Sequence, residues 1–231
     1  MKKTFGVVLL LIIGIVSGYG QRISRVASGV DVGASFAKGQ FAPSLLYYQA
    51  LHPANSPWIE INGGARVWSY FANDTYLTAP AGNSKEDAMQ LSRVTATGIS
   101  FVMGANFKLA KVIDLGVNAD LLGISFGKRR NAIYRLASPE SVKDSLSLEL
   151  NGEDVGIAPA NLNVIPFLKN KNNGQAEAFI RVWVSPQLAI KAGYVWGQVS
   201  YRADMKLNNG QKRFSTNYQM PYVAITIPLY N

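Results

Sequence analysis

The sequence predicts an all-β fold: a closed antiparallel up-and-down transmembrane β-barrel of about eight strands. Three observations predict it. Apolar residues recur with a period of two along most of the chain, the side-chain repeat of a strand. The alternating segments are long, several exceeding the ~9–11 residues that cross a bilayer as a tilted strand. The connections between them alternate between short and long, as they do in a barrel with one plain rim and one elaborated rim.

The first element is a leader. Met1, Lys2 and Lys3 precede an apolar run from Phe5 to Val16, followed by Ser17, Gly18, Gly20 and Gln21. The run is well short of the ~20 residues that span a bilayer as a helix. A basic start, a short apolar middle and small residues before a polar one describe a cleavable secretory signal. Residues 1–20 are therefore expected to direct export and residues 21–231 to form one barrel domain, since no Pro/Ser linker or change of composition divides them.

Eight strands follow, over about 28–37, 41–51, 58–72, 93–109, 111–126, 175–185, 187–203 and 214–230. The first sets Val30, Val32, Ala34 and Phe36 against Asp31, Gly33 and Ser35. The second, FAPSLLYYQAL, has no clean phase. The third sets Ile61 and Val67 against Glu60 and Arg66, and the fourth Phe101 and Phe107 against Ser100 and Asn106. The fifth sets Leu115, Val117, Ala119 and Leu121 against Asp114 and Asp120. The sixth sets Ile180 and Val182 against Glu177 and Arg181. The seventh sets Ile190, Tyr194 and Trp196 against Lys191, and the eighth Val223, Ile225 and Ile227 against Tyr222 and Thr226. Short turns are expected after strands two, four and six, and long polar loops after three, five and seven, the last two over 128–174 and around MKLNNGQK. The link Lys38-Gly39-Gln40 breaks this rule by being short.

Alternation alone does not say which face meets lipid. Strand length, loop asymmetry and aromatics at strand ends place the apolar face outward. Ile61, Val117, Ile180, Ile190 and Ile225 are then lipid-facing, and Phe107, Tyr194 and Trp196 belong to aromatic girdles. The opposite face becomes a lumen, in which Asp31, Glu60, Arg66, Asp114, Asp120, Glu177, Arg181 and Lys191 supply charges of both signs that can pair. Eight strands leave an interior just wide enough for side chains to fill.

The signal, the eight alternating segments and the terminal YVAITIPLYN resemble the small outer-membrane β-barrels of the OmpA/OmpX type. The resemblance covers nearly all of the chain after residue 20 and lies in its pattern rather than in a residue fingerprint. It implies export to the outer membrane of a Gram-negative bacterium, insertion by the barrel-insertion machinery and a monomeric state. Members of that family usually end in an outward aromatic, whereas here Tyr230 is penultimate and in the inward phase, and Asn231 is last.

The formal charge is +9 and there is no cysteine. The absence of thiols excludes a disulfide framework, a thiolate metal site and a lipoprotein anchor. The basic balance suits an anionic membrane surface, and an exported chain does not ordinarily meet nucleic acid. Lys128, Arg129, Arg130, Lys212 and Arg213 are candidate contacts to lipopolysaccharide on the outer rim; a solvated rim explains them equally well. His52, the single histidine, lies in a turn, and general-base work would require an oriented partner. Glu153 and Asp154 are too few for a calcium loop. No catalytic residue, metal site or cofactor is expected. The expected role is non-enzymatic, structural or adhesive, or binding through surface loops. An exported lipocalin-like barrel carrying a hydrophobic ligand is the rival, and a lipid-modifying enzyme or a small porin is a weaker one.

Overall fold

A computed structural model describes residues 25–53, 56, 58–79, 87–110, 112–142, 144–160, 162–165 and 172–230. The leader and Asn231 lie outside them, as does the side chain of Tyr230. Among the described residues there are eleven strands: β1 (Arg25–Ala37), β2 (Gln40–His52), β3 (Ile59–Thr78), β4 (Ala88–Ala110), β5 (Ile113–Phe126), β6 (Arg130–Arg135), β7 (Asp154–Pro159), β8 (Leu162–Val164), β9 (Gly174–Ser185), β10 (Leu188–Leu207) and β11 (Gln211–Tyr230). A one-turn helix, α1 (Ser145–Glu149), lies between β6 and β7.

Every pairing is antiparallel. β1 pairs with β2, β2 with β3, β3 with β4, β4 with β5, β5 with β9, β9 with β10, β10 with β11, and β11 returns to β1. The wall is thus a closed ring with no free edge, and its members are the eight strands expected from the alternation. The short connections from His52 to Ile59, from Ala110 to Ile113 and from Ser185 to Leu188 lie at the rim where β1 starts and β11 ends.

Beyond the opposite rim of this ring the chain departs from the expected loops. β3 runs on to Thr78 and β4 begins at Ala88, so most of the stretch expected to be a loop after the third strand is wall. β4 alone has 23 residues, roughly 75 Å of strand at ~3.3 Å per residue. The 128–174 stretch, expected to be irregular, contains β6, β7, β8 and α1. β6 continues the line of β5 beside β4, and β7 takes the place of β9 beside β10. β11 pairs with β3 at Ser215–Thr78, above the β1–β2 hairpin. A second, narrower ring therefore closes above the first, in the order β3, β4, β6, β7, β10, β11. This explains the one short link at Lys38-Gly39-Gln40: β1 and β2 stop there because β3 and β11 close over them. The hairpin turns through Gly39, at φ 71°, whose carbonyl accepts the Asn73 N–H. The next residue, Asp74, has φ 45° and sits at a one-position break in the β3–β4 pairing, between Asn73–Arg93 and Thr75–Leu91, across which the register is unchanged. Aspartate tolerates the left-handed region better than most residues. The break reverses which parity of β3 points inward, so Leu77 is buried although Ala72 and Tyr70 were the inward residues below it.

Facing inverts between the two rings. On the lower half of β4, Ile99, Phe101, Met103 and Phe107 are exposed while Ser100 and Asn106 are buried. On its upper half Arg93 is exposed while Met89, Leu91, Val94 and Ala96 are buried. β10 behaves alike: Ile190, Tyr194 and Trp196 are outward below, Arg202 and Asp204 above, while the interior passes from Lys191 to Val199, Tyr201 and Ala203. The lower ring is apolar outside and polar inside. The upper ring, a dome, is polar outside and built on an apolar cluster that includes Leu77, Met89, Tyr134, Ile157, Tyr201 and Phe214. Only the lower wall suits hydrocarbon, so the molecule is a closed transmembrane β-barrel whose wall continues into a dome beyond the apolar belt.

β2, whose phase the sequence left open, points Ala42, Ser44, Leu46, Tyr48 and Ala50 inward and Phe41, Leu45, Tyr47 and Leu51 outward. Its inward face carries no charge: Leu46, Tyr48 and Ala50 cluster with Val102 of β4, and the Tyr48 ring lies under the Arg181 guanidinium. Leu121, expected outward, falls at a bulge opposite Phe101 and Val102; past it Leu122, Ile124 and Phe126 become the outward residues.

Candidate functional site: the charged lumen

Asp31 (β1), Glu60 and Arg66 (β3), Asp114 and Asp120 (β5), Glu177 and Arg181 (β9) and Lys191 (β10) all point into the lower ring and are buried. Alternation places them there, and register brings them together. Arg66 Nη1 donates to Asp120 Oδ1 at 2.8 Å, and its Nη2 lies 3.2 Å from Glu177 Oε1. Lys191 Nζ donates to the same Glu177 oxygen at 2.5 Å and to Asp31 Oδ2 at 2.8 Å. The second Asp31 oxygen accepts from Thr226 at 2.6 Å. The second Asp120 oxygen accepts from the Gln175 N–H at 3.1 Å. One connected network thus crosses the barrel from β3 through β9 and β10 to β1.

Arg181 is held more loosely. Its Nη1 is 3.8 Å from Asp114 Oδ2, and that oxygen accepts the Trp183 indole N–H at 2.8 Å. The guanidinium instead lies over aromatic faces, 5.4 Å from the centres of Tyr48 and Phe179 and 5.8 Å from Trp183. Lys191 Nζ is 3.8 Å from the centre of the Phe179 ring. Rings of Phe179 and Tyr48 therefore do part of what water would do for the cations.

Toward the rim with the chain ends, Glu60 accepts from Asn106 Nδ2 at 3.0 Å and lies 3.1 Å from His52 Nε2. Lys108 Nζ lies 3.0 Å from the same histidine nitrogen. The histidine thus has an oriented acidic neighbour, which the sequence did not reveal, because Glu60 and His52 come from different strands.

The remaining singled-out residues lie outside. Ile61, Val117, Ile180, Ile190 and Ile225 are all exposed on the lower wall, as are Phe107, Tyr194 and Trp196. Tyr194 and Trp196 pack with ring centres 5.3 Å apart, and Phe107 stacks with Trp58 at 6.2 Å near the opposite rim. Phe36, Phe41 and Phe71 form a further chain of outward rings at the β1–β2 hairpin. Lys128 and Arg129 are exposed between β5 and β6, while Arg130, Lys212 and Arg213 are half-buried on the dome. Arg129 pairs with Asp204, and Arg213 donates to Asn172 Oδ1 at 3.4 Å. Arg202, which was not singled out, stands directly opposite Arg213 across β10 and β11.

Three structural side chains also escaped the sequence reading. The wall breaks between β5 and β6, and the Tyr201 hydroxyl reaches across the interior to the exposed backbone there, donating to Thr95 O at 2.6 Å and accepting from Thr95 N at 3.0 Å. Where β9 gives way to β7 and β8, Asn173 Nδ2 donates to Ser125 Oγ at 2.7 Å and to Ala160 O at 2.8 Å, and its Oδ1 accepts the Ser200 N–H. Asp87 gathers the dome top, accepting from Tyr134 Oη at 2.9 Å, Ala137 N at 3.0 Å and Asn208 Nδ2 at 3.1 Å.

No family model matches the chain, and no curated protein matches it. Among solved structures it is similar to the crystal structure of Neisserial surface protein A (NspA), at 11% identity and a TM-score of 0.38, covering 89% of this chain and 99% of that one. It is also similar to the crystal structure of a major outer membrane protein from Thermus thermophilus, at 11% identity and a TM-score of 0.40, covering 88% and 99%.

Proposed function

We propose that the chain is an integral outer-membrane β-barrel of the small, eight-stranded OmpA/OmpX type. It has a side-chain-filled lumen and no enzymatic role, and it displays a folded dome at the cell surface for adhesion or binding. The observation that carries this is the inversion of facing along single strands. A soluble barrel has no use for a lower wall that is apolar outside and charged inside. A lipocalin-like carrier would instead present an apolar interior at that level, where this chain buries eight charged residues. The charged network below and the apolar cluster above both fill the interior, which disfavours a porin. The dome is a surface offered to partners, and its basic residues Lys128, Arg129, Arg130, Lys212 and Arg213 are suited to lipopolysaccharide phosphates.

Spin labels on single cysteines along β10 test the placement. In bilayers, a label at position 190 should respond to a lipid-soluble relaxation agent and one at position 202 to a water-soluble agent. Water-soluble accessibility at both positions, in a folded sample, would refute the membrane assignment.

A further inference from the structure

The lumen has more acid than base. Its buried carboxylates are Asp31, Glu60, Asp114, Asp120 and Glu177, against the three buried cations Arg66, Arg181 and Lys191. Buried charge without compensation is costly, because lost hydration must be replaced. At the rim His52 and Lys108 can supply positive charge beside Glu60, which leaves the excess deeper in the lumen, where Asp31, Asp114, Asp120 and Glu177 face Arg66, Arg181 and Lys191.

Register shows where that compensation fits. Asn62, Gly104, Asn118 and Glu177 lie side by side on β3, β4, β5 and β9. Asn118 Nδ2 donates to Glu177 Oε1 at 2.6 Å. Because a carboxylate only accepts, this fixes the amide orientation and turns Asn118 Oδ1 away, over Gly104. The oxygen is buried and receives no hydrogen bond from any described residue; the same holds for Glu177 Oε2 and, one row nearer the rim, for Asn106 Oδ1. Asn62 Oδ1 approaches over the same glycine: a Cβ built on Gly104 would stand 1.9 Å from the Asn118 oxygen and 2.8 Å from the Asn62 oxygen. The missing side chain leaves a notch into which two carboxamide oxygens point, within a lumen of net negative charge.

We propose that this notch binds a monovalent alkali cation. The donor set is oxygen only, which suits a hard ion and not a transition metal. Arg66 and Lys191 already flank Glu177, and their charge opposes a divalent ion. Bound water would satisfy the oxygens but leave the charge excess. The proposal needs the closed lumen and not the surface role argued above.

The test uses the refolded full barrel in micelles at constant ionic strength, with sodium, potassium or N-methylglucamine as the only cation. Its unfolding temperature is expected to be higher by about 3 °C or more in one alkali salt than in the organic one, the size of a modest site near saturation. Thallium-205 NMR of the wild type should show a bound thallous ion that the same alkali ion displaces. Asn62→Ala should weaken the salt dependence, and Asn118→Asp should steepen it. Indifference of the wild type to the cation, with no bound thallium signal, overturns the site. Stabilisation by calcium alone overturns the monovalent assignment, and unchanged salt dependence in both variants overturns the location.

Discussion

Arg66 is the residue on which the lumen turns. It serves Asp120 and Glu177 together, and both are buried. Arg66→Met keeps much of the stem but strands Asp120, while Glu177 keeps Lys191, so it should cost roughly 3–5 kcal/mol, the usual penalty for removing one partner of a buried pair. Denaturant unfolding of the refolded variant measures this, and Asp120→Asn, which keeps an acceptor, should cost less. A second residue-scale effect lies in the dome. Burial, joined by the hydrogen bond to Asp87, raises the Tyr134 phenol, and burial raises Tyr201. The folded dome therefore favours neutral phenols. Their stabilisation is complete below the unfolded value of 10.0 and is lost as pH rises through the folded values. Tyrosinate absorbance should show these two groups titrating later in the folded protein than after unfolding. The lumenal charges were legible in the sequence because each stands opposite an apolar neighbour on a regular strand. Tyr201, Asn173 and Asp87 were not, because each answers a break in the wall that only the assembled pairing creates.

Along an element, the outward surface changes chemistry while the hydrogen-bonded ladder continues. β3 carries Ile61 outward in the belt and Asn73 outward above it. Ile61→Arg should impair assembly by roughly 2–4 kcal/mol, the cost of arginine on a lipid face near the midplane, and Asn73→Arg should be close to neutral. Val117→Arg on β5 belongs with the first. Comparing the folded fraction recovered in vesicles separates the two classes; equal recovery would place the belt elsewhere. The same elements show why strand existence was easier to read than strand extent. On β4 and β10 the period of two persists unbroken through the belt, so 93–109 and 187–203 stood out. Beyond it the inward parity of β3 and β4 flips near Asp74 and Ser92, and the polar residues change sides. A run such as NDTYLTAP then reads as loop although most of it is strand.

For the whole molecule, closure at two levels means that β11 is held by β1 within the belt and by β3 above it. A ring without edges resists detergent until heated. Unheated and boiled samples should migrate differently on a gel, and identical mobility of a sample known to be folded would contradict closure. The dome also has a consequence for recognition by antibodies. Its outer face joins Gln90 of β4 to Arg135 of β6, and Arg129 to Asp204 across Gly156 of β7. Neighbours on that face are far apart in the chain. An immune response to the folded protein would be directed at conformational epitopes, and linear peptides copied from any one segment would make poor vaccines or competitors.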